Sequence, residues 1–161
     1  MDAPGRLRVT VVALLATVVT APAADASSRH PSRVESTTLR LINQAREAKG
    51  LKPVRLDRRL WRAARHHTRD MIRRHYFAHG ATSDRLARYV HSGVIGETLA
   101  WGSGTYASPA STVNSWLHSP PHRRVLLARD LRFVGIGRAT GRFQGNSGAA
   151  VFTADFSGRV G

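Results

Sequence analysis

The chain has 161 residues, a formal net charge of +15 at neutral pH and no cysteine. The absence of cysteine excludes a disulfide framework, so packing and hydrogen bonds must supply the stability. The positive charge favours contact with polyanions but does not indicate a fold. Nearly all the cations are arginines. That bias is typical of a GC-rich genome, and it is also compatible with affinity for an anionic envelope polymer or lipid.

Residues 1–26 have the pattern of a secretory signal peptide. Arg6 and Arg8 form a basic start, residues 9–19 are apolar, and residues 24–26 offer small side chains at the cleavage positions. The apolar run is shorter than the roughly 20 residues needed to cross a bilayer, which favours a cleaved leader over an uncleaved anchor. We therefore expect an exported protein that is extracellular or retained at the cell envelope.

A polar linker is predicted at residues 27–36, and the remaining chain is long enough for one domain, predicted at 37–157. The first helix is predicted at 37–49, where apolar residues recur at helical spacing, and Gly50 is suited to end it. The recurring apolar residues are Leu41, Ala45 and Ala48.

A second helix is predicted at 58–75, with Asp57 as its N-cap. One side carries the residues expected to face the core: Leu60, Trp61, Ala64, Thr68, Met71 and Ile72. An adjacent side carries a row of arginines at spacings of three and four: Arg58, Arg62, Arg65, Arg69 and Arg73. Such a row is usually a solvated face, and His66 and His67 beside it are expected at the surface.

The later part of the chain predicts two short helices and two strands. Helices are expected at 84–90 and 110–118, and the second of them ends at a Ser-Pro-Pro sequence because proline lacks an amide donor. Strands are expected at 131–139 and 149–156, with a glycine-rich loop between them.

Glu97 needs an explanation of its own, because it lies alone in an uncharged, glycine-bracketed run at 96–102. A carboxylate among apolar neighbours loses water and then needs a cation, a hydrogen-bond network or a raised pKa. His79 and His122 are its candidate partners. Two neutral imidazoles can bind a divalent metal such as zinc, with Glu97 as third ligand, network partner or base for a bound water.

The histidines also have a structural interpretation. His75 and His79 lie four apart near the predicted end of the second helix, where a histidine can cap the last carbonyls. His118 and His122 are also four apart, but the two prolines between them exclude a regular helical metal pair and predict a stiff turn before His122.

Four motifs follow one another along the chain: Tyr-Phe-Ala-His at 76–79, Gly-Glu-Thr-Leu-Ala-Trp-Gly at 96–102, Trp-Leu-His-Ser-Pro-Pro-His-Arg at 116–123 and Val-Gly-Ile-Gly at 134–137. Together they resemble the CAP superfamily of cysteine-rich secretory, antigen 5 and pathogenesis-related proteins, also called the SCP domain, in its compact cysteine-free bacterial form. The resemblance implies an α+β fold, an α-β-α sandwich in which helices flank a small, mostly antiparallel sheet around a cleft. It also implies that His79, Glu97 and His122 face that cleft and that the histidines can bind a divalent metal.

Three positions depart from the family pattern. Thr98 replaces the usual asparagine, and Pro121 replaces the glycine common before the second histidine. The second acidic residue of eukaryotic members has no clear equivalent, because its expected position falls near Ser119. A family mechanism that needs two carboxylates is therefore in doubt.

The hypothesis that follows is a secreted, monomeric binding module with a His/Glu cleft for a lipid or cell-envelope ligand. The alternative is a metal-assisted hydrolase that uses His79, His122 and Glu97, with Glu97 as the candidate base. A nucleic-acid partner for the arginine row is disfavoured by export.

Overall fold

The computed structural model describes residues 30–160, so the predicted signal peptide at 1–26 lies outside the described residues. The elements are α1 (Arg33–Glu47), β1 (Arg55–Leu56), α2 (Arg58–Arg74), α3 (Thr82–Ala87), β2 (Ile95–Gly102), a 3-10 turn (Gly104–Ala107), α4 (Pro109–His118), α5 (Pro120–Leu126), β3 (Phe133–Phe143) and β4 (Asn146–Ser157). The predicted α+β class is confirmed. Across residues 30–160, every helix is too short or too polar to cross a bilayer.

The four strands of the described chain form one sheet in the order β1-β3-β4-β2. β4 pairs antiparallel with both β3 and β2, whereas β1 pairs parallel with β3. Gln144 and Gly145 join β3 to β4, and both have positive φ angles, 48° and 79°. A two-residue turn of this kind matches the twist of the paired strands. The prediction of a mostly antiparallel sheet is confirmed.

Helices cover both faces of this sheet, which confirms the predicted α-β-α sandwich. Alternate residues of β4 point to opposite faces. Phe152 belongs to a buried cluster with Ile42 of α1 and Trp116 of α4. Val151 belongs to a second cluster, with Met71 of α2. The core is thus two apolar layers, one on each side of β4.

Two glycines of β3 let α2 lie directly against the sheet. A Cβ on Gly135 would lie 2.0 Å from the carbonyl carbon of Leu60, and one on Gly137 would lie 2.4 Å from that of Ala64. No side chain fits at either distance, so the Val-Gly-Ile-Gly motif marks the place where helix and strand backbones meet.

The first helix begins at Arg33, inside the segment predicted as a linker at 27–36. Ser32 and Glu35 form a capping box: Ser32 Oγ accepts from the Glu35 amide at 3.2 Å, and Glu35 Oε2 accepts from the Ser32 amide at 2.7 Å. The predicted helix start at residue 37 is therefore four residues late, because polar residues at 32–35 cap and begin the helix.

The buried face of α1 also differs from the predicted stripe. Ile42 and Arg46 are fully buried, whereas Ala48 is exposed. The Arg46 guanidinium donates hydrogen bonds to main-chain carbonyls, which ties α1 to the segment before β1 and to the end of α5 and the segment after it. The acceptors are the carbonyls of Lys52, Leu126, Ala128 and Leu131.

The proline pair that ends α4 also begins a further helix. Pro120 and Pro121 occupy the first turn of α5, where no amide donor is needed, so His122 lies on a helix. The prediction that His122 follows a stiff turn is corrected accordingly.

Candidate functional site

Two carboxylates lie side by side on neighbouring strands at the centre of the site. The antiparallel register of β2 and β4 pairs Glu97 with Asp155. Glu97 is 7% exposed and Asp155 is 0% exposed. Two buried acids this close repel each other when both are charged, so they require a cation or a proton.

Arg85 of α3 supplies that cation. Its Nη1 donates to Asp155 Oδ2 at 2.7 Å, and its Nη2 donates to Asp155 Oδ1 at 2.9 Å. Nη2 also donates to Glu97 Oε2. This two-point contact with Asp155 is the strong geometry for a guanidinium and a carboxylate. Arg85 therefore joins α3 to both strands.

The second oxygen of Glu97 holds His79. Glu97 Oε1 accepts from His79 Nδ1 at 2.7 Å and from the Thr82 hydroxyl at 2.9 Å. His79 lies in the loop after α2, which ends with His75 in a left-handed conformation at φ 54°. When Glu97 is ionised it can only accept, so the proton of this bond is on His79 Nδ1, and a neutral His79 then has its lone pair on Nε2.

His67 is part of the same network, and its predicted surface position is wrong. The side chain lies on the buried side of α2, with Nε2 at 3.6 Å from Glu97 Oε2 and at 3.2 Å from the Ala78 carbonyl oxygen. Burial, together with the positive charge of Arg85, lowers the pKa of His67 to about 4. His67 is therefore neutral at physiological pH and braces Ala78, next to His79.

His122 faces His79 from the first turn of α5. The two ring centroids are 6.4 Å apart, and the ring planes are inclined by 40°. Burial, with the nearby imidazole of His79, lowers the pKa of His122. The structure thus places His79 in contact with Glu97 and beside the ring of His122.

Burial shifts both acids toward their neutral forms. It raises the pKa of Asp155 to about 7, against the opposing effect of Arg85, while the charge of Glu97 adds to the rise. Burial also raises the pKa of Glu97, against Arg85 and the Thr82 hydroxyl. One guanidinium thus faces two acids that are both harder to ionise than usual.

A metal bound here would have two protein ligands, His79 and His122. The oxygens of Glu97 already accept hydrogen bonds from His79, Thr82 and Arg85. The carboxylate therefore orients the imidazole of His79, as carboxylates commonly do when they hydrogen-bond to a histidine that binds a metal. Within residues 30–160, no group of three histidines or acids is placed around a common ion. Two imidazoles on one tetrahedral zinc have ring centroids about 5 Å apart. The 6.4 Å between the ring centroids of His79 and His122 exceeds that spacing, so the two rings would have to move closer together to share an ion.

Sequence reasoning missed Arg85, Asp155 and His67. Asp155 carried a signal, because it shares a face of β4 with buried Val151 and Thr153. The helical period of α2 puts His67 on the same side of the helix as its buried residues. Nothing distinguished Arg85 from the many other arginines.

Comparison with known proteins agrees with this fold. A sequence model of the cysteine-rich secretory protein family, CAP, matches residues 39–156. The uncharacterized protein YkwD of Bacillus subtilis (strain 168) is 30% identical over 127 residues, which are 73% of this chain and 48% of that protein.

Two solved structures show the same architecture. An extracellular protein containing an SCP domain from Bacillus anthracis str. Ames has a TM-score of 0.64 and 25% identity, over 76% of this chain and 39% of that one. An outer surface protein of Borrelia burgdorferi has a TM-score of 0.65 and 22% identity, over 76% and 90%. The chain spans about half the length, or less, of the curated relatives it matches.

Proposed function

Since the chain belongs to the cysteine-rich secretory protein (CAP) family, we propose that it is a secreted binding module whose cleft takes a lipid or cell-envelope ligand. In this proposal the cleft also holds a divalent metal such as zinc between His79 and His122. The observation that carries this proposal is the bond between His79 Nδ1 and Glu97 Oε1, which does not use Nε2, together with the ring of His122 at 6.4 Å from that of His79.

Export has two supports. Residues 1–26 have the pattern of a signal peptide. Two relatives in fold are described as an extracellular protein and an outer surface protein. The monomeric state and the absence of a nucleic-acid partner stay predictions.

The chemistry of the two histidines favours metal binding at neutral pH. The lowered pKa of His122 keeps that imidazole neutral, and a metal ligand must be unprotonated. Glu97 fixes the tautomer of His79 that offers Nε2. A metal held there would supply a Lewis acid for an anionic group of the ligand.

The contacts of Glu97 favour binding over hydrolysis. A general base needs an oxygen within reach of a water, but Oε2 accepts from Arg85 and Oε1 accepts from His79 and Thr82. The metal-assisted hydrolase is therefore the second choice, because Glu97 would have to leave one of these contacts first.

A groove beside α5 supports the choice of a lipid as ligand. It has a volume of about 1010 Å³ and lies between the end of α1 and the helices α4 and α5, and its lining does not include His79, Glu97 or His122. Its wall combines apolar residues with cations: Ala45, Ala48, Leu117, Leu127, Lys49, Arg123 and Arg124. Such a wall suits an acyl chain with an anionic head group.

Calorimetric titration of the purified protein with zinc tests the metal site. We expect modest affinity, since water must complete the coordination of two histidines. The double variant His79→Ala/His122→Ala should lose the binding heat. The matched control, His66→Ala/His91→Ala, removes two exposed histidines elsewhere and should keep it. Equal heats from the wild type and the His79/His122 variant would end the proposal.

A further inference from the structure

We propose that the outer face of α2 is a docking surface for a linear, phosphate-bearing polyanion. We call this surface the arginine ridge and define it by its five exposed residues: Arg58, Arg62, His66, Arg69 and Arg73. The ridge lies on the side of α2 that faces away from the sheet, so this inference goes beyond the cleft of His79 and His122 and does not depend on a metal.

The ridge is narrow and straight. On a helix with 3.6 residues per turn, its five members fall within an arc of about 80° and extend over about 22 Å. The opposite side of α2 is buried, with Leu60 and Met71 at 0% exposure. Arg65 of the predicted row is buried as well, 3.8 Å from Glu35, so its predicted solvated position is wrong. The ridge therefore presents a line of positively charged side chains. Several consecutive negative groups of an extended polyanion would cover its length.

Few acids offset this charge. α2 contains seven arginines and a single acid, Asp70, which already contacts Arg73 at 2.5 Å and Arg74 at 3.3 Å. Three further acids are buried in internal ion pairs and do not reach the surface: Glu35, Glu97 and Asp155. Their arginine partners Arg65 and Arg85 are withdrawn from the surface with them, so the positive charge of the outer surface comes from the exposed arginines.

A chain of negative groups along the ridge would accept hydrogen bonds from its guanidinium groups. It would also release bound counterions, which supplies affinity for a polyanion.

The chemistry of the ridge favours a phosphate polymer over a bilayer. Helices that bind membrane surfaces bury an apolar face at the acyl boundary, but the apolar face of α2 is turned into the core. Guanidinium groups bind phosphate oxygens in pairs, which gives arginine an advantage with phosphate.

The test measures binding of fluorescently labelled inorganic polyphosphate by anisotropy across a salt series. The ridge variant is Arg62→Gln/Arg69→Gln/Arg73→Gln. The matched control, Arg40→Gln/Arg88→Gln/Arg129→Gln, removes the same charge from exposed positions elsewhere. We expect the ridge variant to bind at least about tenfold more weakly and its salt slope to fall by about two, while the control loses less than about threefold.

Other probes decide between partners. Alginate, a carboxylate polymer, and vesicles of phosphatidylglycerol with phosphatidylcholine should both bind more weakly than polyphosphate. Equal losses in the ridge variant and the control would overturn the inference, and so would tighter binding to alginate or to vesicles. Thermal melts check the fold, and Arg62→Gln against Arg40→Gln repeats the comparison with single changes if the triple variant unfolds. His79→Ala/His122→Ala should leave polyphosphate binding unchanged, which separates this inference from the metal proposal.

Discussion

Arg85 is the residue on which the buried acids of the cleft depend. Its side chain is 16% exposed and contacts both Glu97 and Asp155, whose side chains are 2% and 0% exposed. Removing one partner of a buried charge pair leaves the other charge without compensation, which costs more than the pair itself contributes.

Replacing Arg85 by methionine should therefore destabilise the protein strongly. We expect Arg85→Met to lower the free energy of unfolding by about 3–5 kcal/mol, measured by urea denaturation. The control, Arg88→Met, changes an exposed arginine directly after α3 and should stay within about 0.5 kcal/mol.

The double variant Arg85→Met/Asp155→Asn makes the interpretation specific. It removes two opposite charges at once, so it should recover part of the stability that Arg85→Met loses. An Arg85→Met variant as stable as Arg88→Met would show that Arg85 does not compensate the acids.

At the scale of the elements, the contact between α2 and β3 sets the spacing of the helical layer over the sheet. That layer also carries His67 toward Glu97. The contact depends on two backbone positions without side chains, Gly135 and Gly137. Because the clash at either position is with main chain, a side chain there cannot be accommodated by a change of rotamer.

Gly135→Ala is expected to cost about 3 kcal/mol, since α2 and β3 must separate to admit the methyl group. Chemical denaturation measures the loss, and Gly93→Ala is the matched control because a Cβ there has no neighbour within 4 Å. If the two variants are equally stable, the close approach of α2 and β3 is not a constraint on the fold.

At the scale of the whole molecule, buried groups make stability depend on pH in opposite directions. The pKa of Asp155 is raised to about 7 in the folded protein. Its stabilising contribution is therefore complete at pH values below the ordinary carboxyl pKa of 3.8 and is lost as the pH rises through 7. His67 has its pKa lowered to about 4, so its contribution is lost as the pH falls from 6.5 through 4.

Replacing His67 isolates one of these effects. His67→Gln has no group to protonate on unfolding, so its stability relative to the wild type should rise as the pH falls from 6.5 toward 4. Urea denaturation at several pH values measures the difference. The matched control is His66→Gln, which changes an exposed neighbour on the same helix. A constant difference for His67→Gln would contradict the burial of a neutral imidazole.

The sequence by itself determined several of the elements and singled out one unusual residue, Glu97. The helical period located α2 and its N-cap Asp57, and the charge of Glu97 in an apolar run marked the position of the site. Spacing within one element follows from the fixed periods of helix and strand, so a local pattern is enough. The same period could have found His67, which lies on the buried side of α2.

Only the tertiary structure decided what Glu97 contacts. Asp155 becomes its neighbour through the register of β2 and β4, and Arg85 is selected from many arginines by the position of α3 over these strands. The placement of His122 beside His79 depends on a helix that begins at the proline pair. Contacts between elements arise from packing and register between distant parts of the chain, which no local spacing specifies.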